Sequence, residues 1–249
     1  LFEHLGVFFR QYFFAMDREE LPFNRAQRGW IARAAKDIDH TIAFGSTKPI
    51  HTPGDILFLN SAFPKLDEET QLSAKTPLCF GEGYAREAYE THSVFHISAM
   101  SYGALSAPAI QALSMGAAKA GILLNTGEGG LAPFHLHGQC DLVFQIGTAK
   151  YGVRNTDGTL SDEKLQEVAS HTSVKMFEIK LSQGAKPGKG GILPAEKVTD
   201  VIASTRGIPV GQDSLSPNRH TDISSVDDLL NMIHRVRQVT GKPVGIKFV

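Results

Sequence analysis

The sequence predicts an α/β protein with a parallel sheet. From about residue 91 onward, short apolar runs alternate with amphipathic segments, which is typical of strands joined by crossover helices. Hydrophobic residues make up 42% of the chain, which is sufficient for a globular core. We therefore expect a helical and irregular segment over residues 1–90, followed by alternating strands and helices over residues 91–249.

The N-terminal part combines an aromatic segment with one helix. Residues 1–16 are rich in Phe and Tyr, but charged residues interrupt them, so the segment is too polar to span a bilayer. It is typical of an amphipathic segment that lies either on a membrane surface or on the rest of the protein, and we favour packing within the protein. Asn24 can cap a helix that runs to about Asp39, and prolines between residues 49 and 77 predict irregular chain after it.

The second part carries start and stop signals for its helices. Ser106 with the following Pro108 begins one helix, and Gly121 ends it. Ser225 and Asp228 form a capping box at the start of the last helix. The strands are expected at residues 94–98, 122–125, 141–146, 174–181 and 243–249, and the helices at residues 106–120, 194–205 and 225–240.

Three loops rich in small residues follow successive strands, at residues 99–106, 125–130 and 180–191. The carboxyl ends of parallel strands meet at one edge of the sheet, where α/β proteins place their ligands. The second loop holds Glu128 among glycines, and the third adds the donors Gln183 and Lys186 for a carboxylate or phosphate. From the residues alone, ligand-binding loops and plain surface turns both remain open.

Charge and cysteine content exclude several classes of protein. The net charge of −1 argues against a general nucleic-acid binder. Two distant cysteines are too few for a disulfide framework or a four-thiolate cluster, and free thiols favour a reducing, cytoplasmic location. His135 and His137 lack an evident third ligand, so we expect no metal site. Lys247 lies in an apolar run, where a lysine requires an anionic partner.

Four ordered motifs resemble the flavin-binding synthase domain of glutamate synthase. They are residues 97–103, 125–130, 179–191 and 205–206. A weaker match covers residues 215–223, and the whole resemblance runs from about residue 91 to residue 249. Residues 20–25 and 41–46 are similar to the shorter, stand-alone bacterial relatives called FMN-binding glutamate synthase family proteins.

The resemblance implies a (β/α)₈ TIM-type barrel with FMN at its C-terminal face. Because the chain stops where the later strands are expected, we expect only the N-terminal half of the barrel here, inactive and prone to self-association on its own. An iron–sulfur cluster would need cysteines from residues beyond this chain. The implied reaction is the addition of ammonia to 2-oxoglutarate and reduction of the resulting 2-iminoglutarate to glutamate.

The resemblance also implies roles for individual residues. Glu128 and Lys186 are the expected catalytic residues, and Gln183, Lys186 and Arg206 are expected to bind 2-oxoglutarate. Lys150 stands where the family usually has Arg, and Lys247 matches a lysine near the flavin pyrimidine ring. The full set of expected FMN contacts is Met100, Ser101, Gly103, Asn125, Thr126, Gly127, Gln145, Lys150 and Lys247.

The implied partners are 2-oxoglutarate, ammonia or an amine donor, and an electron-donor protein or NAD(P)H-oxidising subunit. Two other functions stay open at this point. One is a related FMN barrel that acts on another 2-oxo acid or a methylated amine. The other is a homologue that binds flavin or an acidic metabolite without turnover, although Glu128, Gln183, Lys186 and Arg206 are all present.

Overall fold

A computed structural model describes residues 23, 25–36, 62–63, 77–183, 188 and 190–248. The predictions for the aromatic segment 1–16, the helix cap Asn24 and the catalytic Lys186 lie outside the described residues. The chain divides into two compact units, Leu1–Pro64 and Lys65–Val249. In the described part of the chain, no helix is both long enough and apolar enough to cross a membrane.

The described part of the first unit contains one helix, α1 (Arg25–Ala34). It is shorter than the predicted helix, since residues 35 and 36 form a turn in which the Lys36 amide donates to the Arg33 carbonyl. Trp30 and Ile31 are exposed on its surface.

The described part of the second unit begins with an antiparallel hairpin that the sequence did not predict. Strands β1 (Leu78–Phe80) and β2 (Tyr89–Thr91) pair with Leu78 opposite Thr91. The turn starts at Gly81, whose φ of +78° suits glycine and whose missing Cβ leaves space for the Pro243 ring.

The main sheet confirms the predicted parallel arrangement. Strands β3 (Leu124–Asn125), β4 (Leu142–Ile146), β5 (Val174–Lys180) and β8 (Val244–Lys247) lie side by side in this order, and each pair is parallel. The expected first strand at 94–98 is reduced to one parallel bridge between Ile97 and Leu124, because the chain before it turns at Ser93 and exposes Val94 and Phe95. The described residues form an open sheet and do not show a closed barrel.

Helices cover one face of this sheet. They are α2 (Ala107–Ala120), α4 (Asp162–Ser170) and α6 (Val226–Thr240), with the single turn α3 (Pro133–Leu136) between α2 and β4. Alternate residues of the central strands point into the resulting core, which contains Leu142, Phe144, Ile146, Phe177, Ile179, Leu165, Val168, Met232 and Val236. The intervening residues of β4 and β5 therefore face the opposite side of the sheet.

The predicted helix signals act as expected in two places. Gly121 ends α2 in the left-handed conformation, and its amide donates to the carbonyls of Ala117 and Ala118. The capping box of α6 is complete: Ser225 Oγ accepts from the Asp228 amide, and the Asp228 carboxylate accepts from the Ser225 amide. At α2, Ser106 has extended backbone but its side chain makes no capping hydrogen bond.

The predicted helix 194–205 is interrupted. A 3₁₀ turn covers Ala195–Lys197, and α5 (Asp200–Arg206) begins separately at Thr199. The break has a local cause, because the Thr199 hydroxyl accepts from the Ile202 amide and so starts a new helix.

Two short strands, β6 (Ile192–Leu193) and β7 (Ser214–Leu215), pair antiparallel on either side of α5. This excursion between β5 and β8 brings Arg206, at the end of α5, towards the loops that follow β3 and β5.

Candidate active site

The loops after β3 and β5 meet through one carboxylate. Glu128 Oε2 lies 3.0 Å from Lys180 Nζ, and Gln183 Nε2 donates to Oε1 and Oε2 at 2.8 and 2.6 Å. Lys180 Nζ also donates to Gln183 Oε1 at 2.8 Å. The structure thus brings together two residues singled out from the sequence, Glu128 and Gln183, and adds Lys180 as a third member.

Arg206 is a buried cation with only part of its hydrogen-bonding capacity used. It is 7% exposed, and its guanidinium lies 5.2 Å above the Tyr151 ring. Nη1 donates to Ser214 Oγ at 2.8 Å and Nη2 to the Tyr102 carbonyl at 3.3 Å, while Nε has no acceptor among the described residues. Burial lowers the pKa of Arg206, and nearby Tyr151 and Glu128 oppose this shift; an arginine nevertheless stays protonated in proteins.

Glycines make room for the Arg206 guanidinium. A Cβ on Gly103 would lie 3.0 Å from Nη2, and one on Gly129 would lie 3.5 Å from the same atom. Gly103 also has a φ of +103°, a conformation that side chains rarely adopt. The position of Arg206 therefore favours glycine at position 103, whereas a Cβ at position 129 would only make an ordinary van der Waals contact with the guanidinium.

Glu128, Gln183 and Arg206 line one cavity of about 210 Å³. Its other walls come from the first loop, from the loop after β4 and from the β6–β7 excursion: Ser101, Ala104, Tyr151, Gly191, Ile192, Leu193, Ser214 and Ser216. The cavity thus places a carboxylate beside a buried guanidinium. Such a pair of groups can bind an anionic substrate and exchange a proton with it.

A second polar cluster lies on the same side of the sheet. Asn125 Nδ2 and Gln145 Nε2 both donate to Glu178 Oε1, at 2.8 and 2.5 Å. Asn125 Oδ1 accepts from the Gly127 amide at 2.9 Å, and Gln145 Oε1 is buried with no donor among the described residues. Asn125 and Gln145 were predicted to contact a flavin; Glu178 was not singled out.

Two of the expected FMN contacts, Asn125 and Lys247, line one cavity, and a third, Gly127, allows two loops to meet. Gly127 has a φ of +68°, and a Cβ there would lie 2.6 Å from the Ser101 amide nitrogen, so only glycine allows the first two loops to approach. Asn125 and Lys247 line a cavity of about 460 Å³ on the open face of the sheet, together with Ser98 and Glu178. Thr126 is buried and packs between β3 and β4, where its hydroxyl accepts from the Gln145 amide.

Two other expected FMN contacts have partners within the protein. Lys150 is 1% exposed, and its Nζ lies 2.8 Å from Asp222 Oδ1. Burial would raise the pKa of Asp222, but the Lys150 ion pair and hydrogen bond lower it below its usual value. Met100 packs against the hydrophobic core. A contact of Lys150 or Met100 with flavin stays a prediction.

His220 fixes the end of β5. It is buried, and its Nε2 lies 2.9 Å from the Lys180 carbonyl. Burial lowers the pKa of His220, so the neutral ring donates this hydrogen bond. The loop that carries His220 is held in turn by the Lys150–Asp222 ion pair.

The sequence contained a signal for the residues that were missed. Met176, Glu178 and Lys180 occupy alternate positions of a strand in which the intervening Phe177 and Ile179 are fully buried. Two charged residues with this spacing share one face of the sheet, and that face must be polar or line a site.

His135 has structural contacts at both ring nitrogens: Nδ1 accepts from the Ala132 amide, and Nε2 lies 2.8 Å from the Met100 carbonyl. Cys79 is exposed and Cys140 is buried, and both are free thiols. Within the described ranges, no group of three or more His, Cys, Asp or Glu residues could hold a metal ion.

Comparison with known proteins agrees with the four sequence motifs. The family model described as the conserved region in glutamate synthase matches residues 60–249. The chain belongs to the glutamate synthase family. The resemblance inferred from the motifs is thereby confirmed, and it extends N-terminal of residue 91.

The relatives matched along most of this chain are glutamate synthase large subunit-like proteins. YerD of Bacillus subtilis is 34% identical over 286 aligned residues, which cover all of this chain and 54% of YerD. A protein of the same description from Rhizobium meliloti is 31% identical over 92% of this chain and 50% of its own length. The chain therefore spans about half the length of these relatives.

A second group of relatives matches about two thirds of this chain with higher identity. The archaeal glutamate synthase [NADPH] of Archaeoglobus fulgidus is 43% identical over 169 residues, which are 67% of this chain and 30% of the relative. The higher identity over a shorter region indicates that similarity is concentrated in part of the chain.

Proposed function

We propose that this chain forms the synthase region of a flavin-dependent oxidoreductase that converts 2-oxoglutarate and ammonia into glutamate through 2-iminoglutarate. The observation that carries this proposal is the single cavity shared by Glu128, Gln183 and Arg206. It combines a cationic anchor for a carboxylate with a carboxylate that can accept a proton. Membership of the glutamate synthase family supports this assignment.

Arg206 is the proposed anchor for one substrate carboxylate. Its Nη1 is held by Ser214, whereas Nε has no acceptor among the described residues and Nη2 makes only a long contact with Tyr102. Nε and Nη2 lie on one edge of a guanidinium, and a carboxylate can accept from both at once. We propose Lys186, from the loop after β5, as the cation for the second carboxylate.

Glu128 is the proposed general base. Lys180 donates to Oε2 and Gln183 donates to both oxygens, so together they hold the carboxylate in one orientation within the cavity. There it takes a proton from ammonium, and the free ammonia adds to the carbonyl carbon of the substrate. Loss of water then gives the imine. General-base catalysis of this kind contributes roughly 10²–10⁴ in rate.

FMN would be held by Ser101, Asn125, Gly127, Gln145 and Lys247. When bound, FMN supplies the hydride equivalent that reduces the imine carbon. Lys247 brings a cation to the same side of the sheet as Glu178, where it can balance negative charge. The consecutive order of the parallel strands supports our proposal that the sheet forms part of a (β/α)₈ barrel.

The reaction requires two electrons and two protons for each 2-oxoglutarate and ammonia, and it releases one water. The Archaeoglobus relative is named for NADPH. We therefore propose NAD(P)H, acting through an electron-donor protein or subunit, as the electron source. An iron–sulfur cluster on this route would use residues outside this chain.

The test uses the full natural protein, purified and examined for FMN by absorbance and by chromatography of the released cofactor. Glutamate formation is then measured with ammonia, 2-oxoglutarate and a chemical reductant. We expect FMN and glutamate. Turnover with a different 2-oxo acid or a methylated amine would replace the substrate assignment, and FMN binding without turnover would indicate a non-catalytic homologue. A folded, colourless protein that takes up no FMN would contradict the proposal.

A further inference from the structure

Glu178 lines the larger cavity, on the same face of β5 as Lys180. One of its oxygens, Oε1, receives hydrogen bonds from two side-chain amides, those of Asn125 and Gln145. A carboxylate only accepts hydrogen bonds, so both amides must turn their nitrogens towards it. The orientation of each amide is thereby fixed, and so is the place of its oxygen.

For Asn125, this orientation determines the shape of the second loop. With Nδ2 turned to Glu178, Oδ1 accepts from the Gly127 amide at 2.9 Å. Gly127 is the residue whose backbone approaches Ser101, and the next residue is Glu128. The Glu178 carboxylate thus connects through Asn125 to the loop that carries the proposed general base.

For Gln145, the same orientation leaves an acceptor without a donor. Nε2 is used by Glu178, and Oε1 is buried and unpaired among the described residues. An unpaired buried acceptor costs stability, so such atoms need an explanation when they occur in native proteins. The imide N–H of a flavin ring is a donor that would satisfy it.

We propose that Glu178 is a positioning residue that locks the amides of Asn125 and Gln145, thereby shaping the loop of Glu128 and presenting Gln145 Oε1 to a ligand N–H group. The part that concerns Gln145 rests on the proposed flavin site. The part that concerns Asn125 and Gly127 depends only on contacts within the chain.

The first experiment measures, without any ligand, whether Glu178 fixes the orientation of the two side-chain amides. Side-chain and backbone N–H signals of Asn125, Gln145 and Gly127 are followed by NMR in the wild type, Glu178→Gln and Glu178→Ala. Charge-assisted hydrogen bonds are about twice as strong as neutral ones. We expect the Gly127 amide to exchange about tenfold faster in Glu178→Ala, with Glu178→Gln in between.

The matched control is Met176→Ala, which truncates a neighbouring side chain on the same face of β5 and in the same cavity. It should leave the Asn125, Gln145 and Gly127 signals as in the wild type. Unchanged signals and unchanged exchange in Glu178→Ala would overturn the proposal, as would an equal change in the Met176 control.

The second experiment compares binding of FMN with binding of FMN methylated at the imide nitrogen. We expect the wild type to prefer FMN by about tenfold, the value of one hydrogen bond. Glu178→Gln and Gln145→Ala should lose most of that preference. A full preference in Glu178→Gln would overturn the role of Glu178 at Gln145. Failure of the wild type to bind FMN would instead contradict the flavin site. The NMR experiment would still test whether Glu178 fixes the orientation of the two amides.

Discussion

Lys180 Nζ lies 3.0 Å from Glu128 Oε2, so the last residue of β5 is joined to the loop after β3. Both side chains are largely buried, with exposed fractions of 17% and 23%. The Lys180 carbonyl is held at the same time by His220. This ion pair directly connects the sheet to the proposed general base.

Lys180→Met should impair catalysis without unfolding the protein. The change keeps the length of the side chain but removes the charged donor, so the Glu128 carboxylate loses one of its two partners. Loss of a hydrogen bond to a charged group costs about 1.5–3 kcal/mol, or roughly ten- to hundredfold. The measurement is kcat for glutamate formation at saturating ammonia. Lys197→Met, at an exposed position, is the control, and equal activity of the two variants would argue against the ion pair.

Arg206→Ala should weaken 2-oxoglutarate binding far more than FMN binding. Arg206 lines the smaller cavity with Glu128, whereas most expected FMN contacts lie elsewhere. The expected loss for the oxo acid is about ten- to hundredfold, from one charge-assisted pair. Titrations with each ligand measure it, with Arg235→Ala as a control that removes an exposed ion pair with Asp162 and a hydrogen bond to the Leu160 carbonyl. Equal losses for both ligands would make Arg206 a structural residue.

Tyr151→Phe tests how the Arg206 guanidinium is held in place. The Tyr151 hydroxyl accepts from Ser214 Oγ, and Ser214 Oγ accepts from Arg206 Nη1. Phe keeps the ring under the guanidinium but removes the hydroxyl, so Arg206 should become less well oriented. We expect a several-fold increase in KM for 2-oxoglutarate with kcat nearly unchanged, since about 0.5–1.5 kcal/mol is at stake. A fall in kcat at unchanged KM would contradict a role in substrate binding.

The Lys150–Asp222 pair predicts a dependence of stability on pH. The folded protein lowers the pKa of Asp222, so the ionised carboxylate stabilises the fold above the unfolded value of about 3.9. This contribution is lost as the pH falls through the folded pKa. Urea unfolding of the wild type and Asp222→Asn should therefore differ at neutral pH and converge at acid pH. A constant difference across this range would contradict the ion pair.

Local signals in the sequence predicted the parts of the fold that depend on local chemistry. The capping box at Ser225 and the glycine at position 121 depend on neighbours within a few residues, and both act in the structure. Helix α4 was missed although Ser161 caps it, because only Leu165 and Val168 are buried on it and they form a weak pattern. Strands β6 and β7 are two residues long, too short for any alternation.

For the candidate site too, the sequence predicted some residues and missed others. Motifs pointed to Glu128, Gln183 and Arg206, which line one cavity. Glu178 and Lys180 were missed because their partners come from β3, β4 and the following loops, which only the register of the sheet brings together. Lys150 was predicted from the sequence as a flavin contact, but its ion-pair partner was not. Asp222 lies in a distant loop whose position the sequence could not predict.

The most direct test of the account is glutamate formation by the Glu128→Gln variant of the full natural protein. Gln keeps the size of the side chain and can still hydrogen-bond to Lys180 and Gln183, so fold and FMN binding should persist. Removal of the base should slow turnover from ammonia, 2-oxoglutarate and a chemical reductant by roughly 10²–10⁴. Glu167→Gln, on the exposed side of α4, should match the wild type. Wild-type turnover in Glu128→Gln would contradict the central claim, because the cavity would then lack its catalytic base.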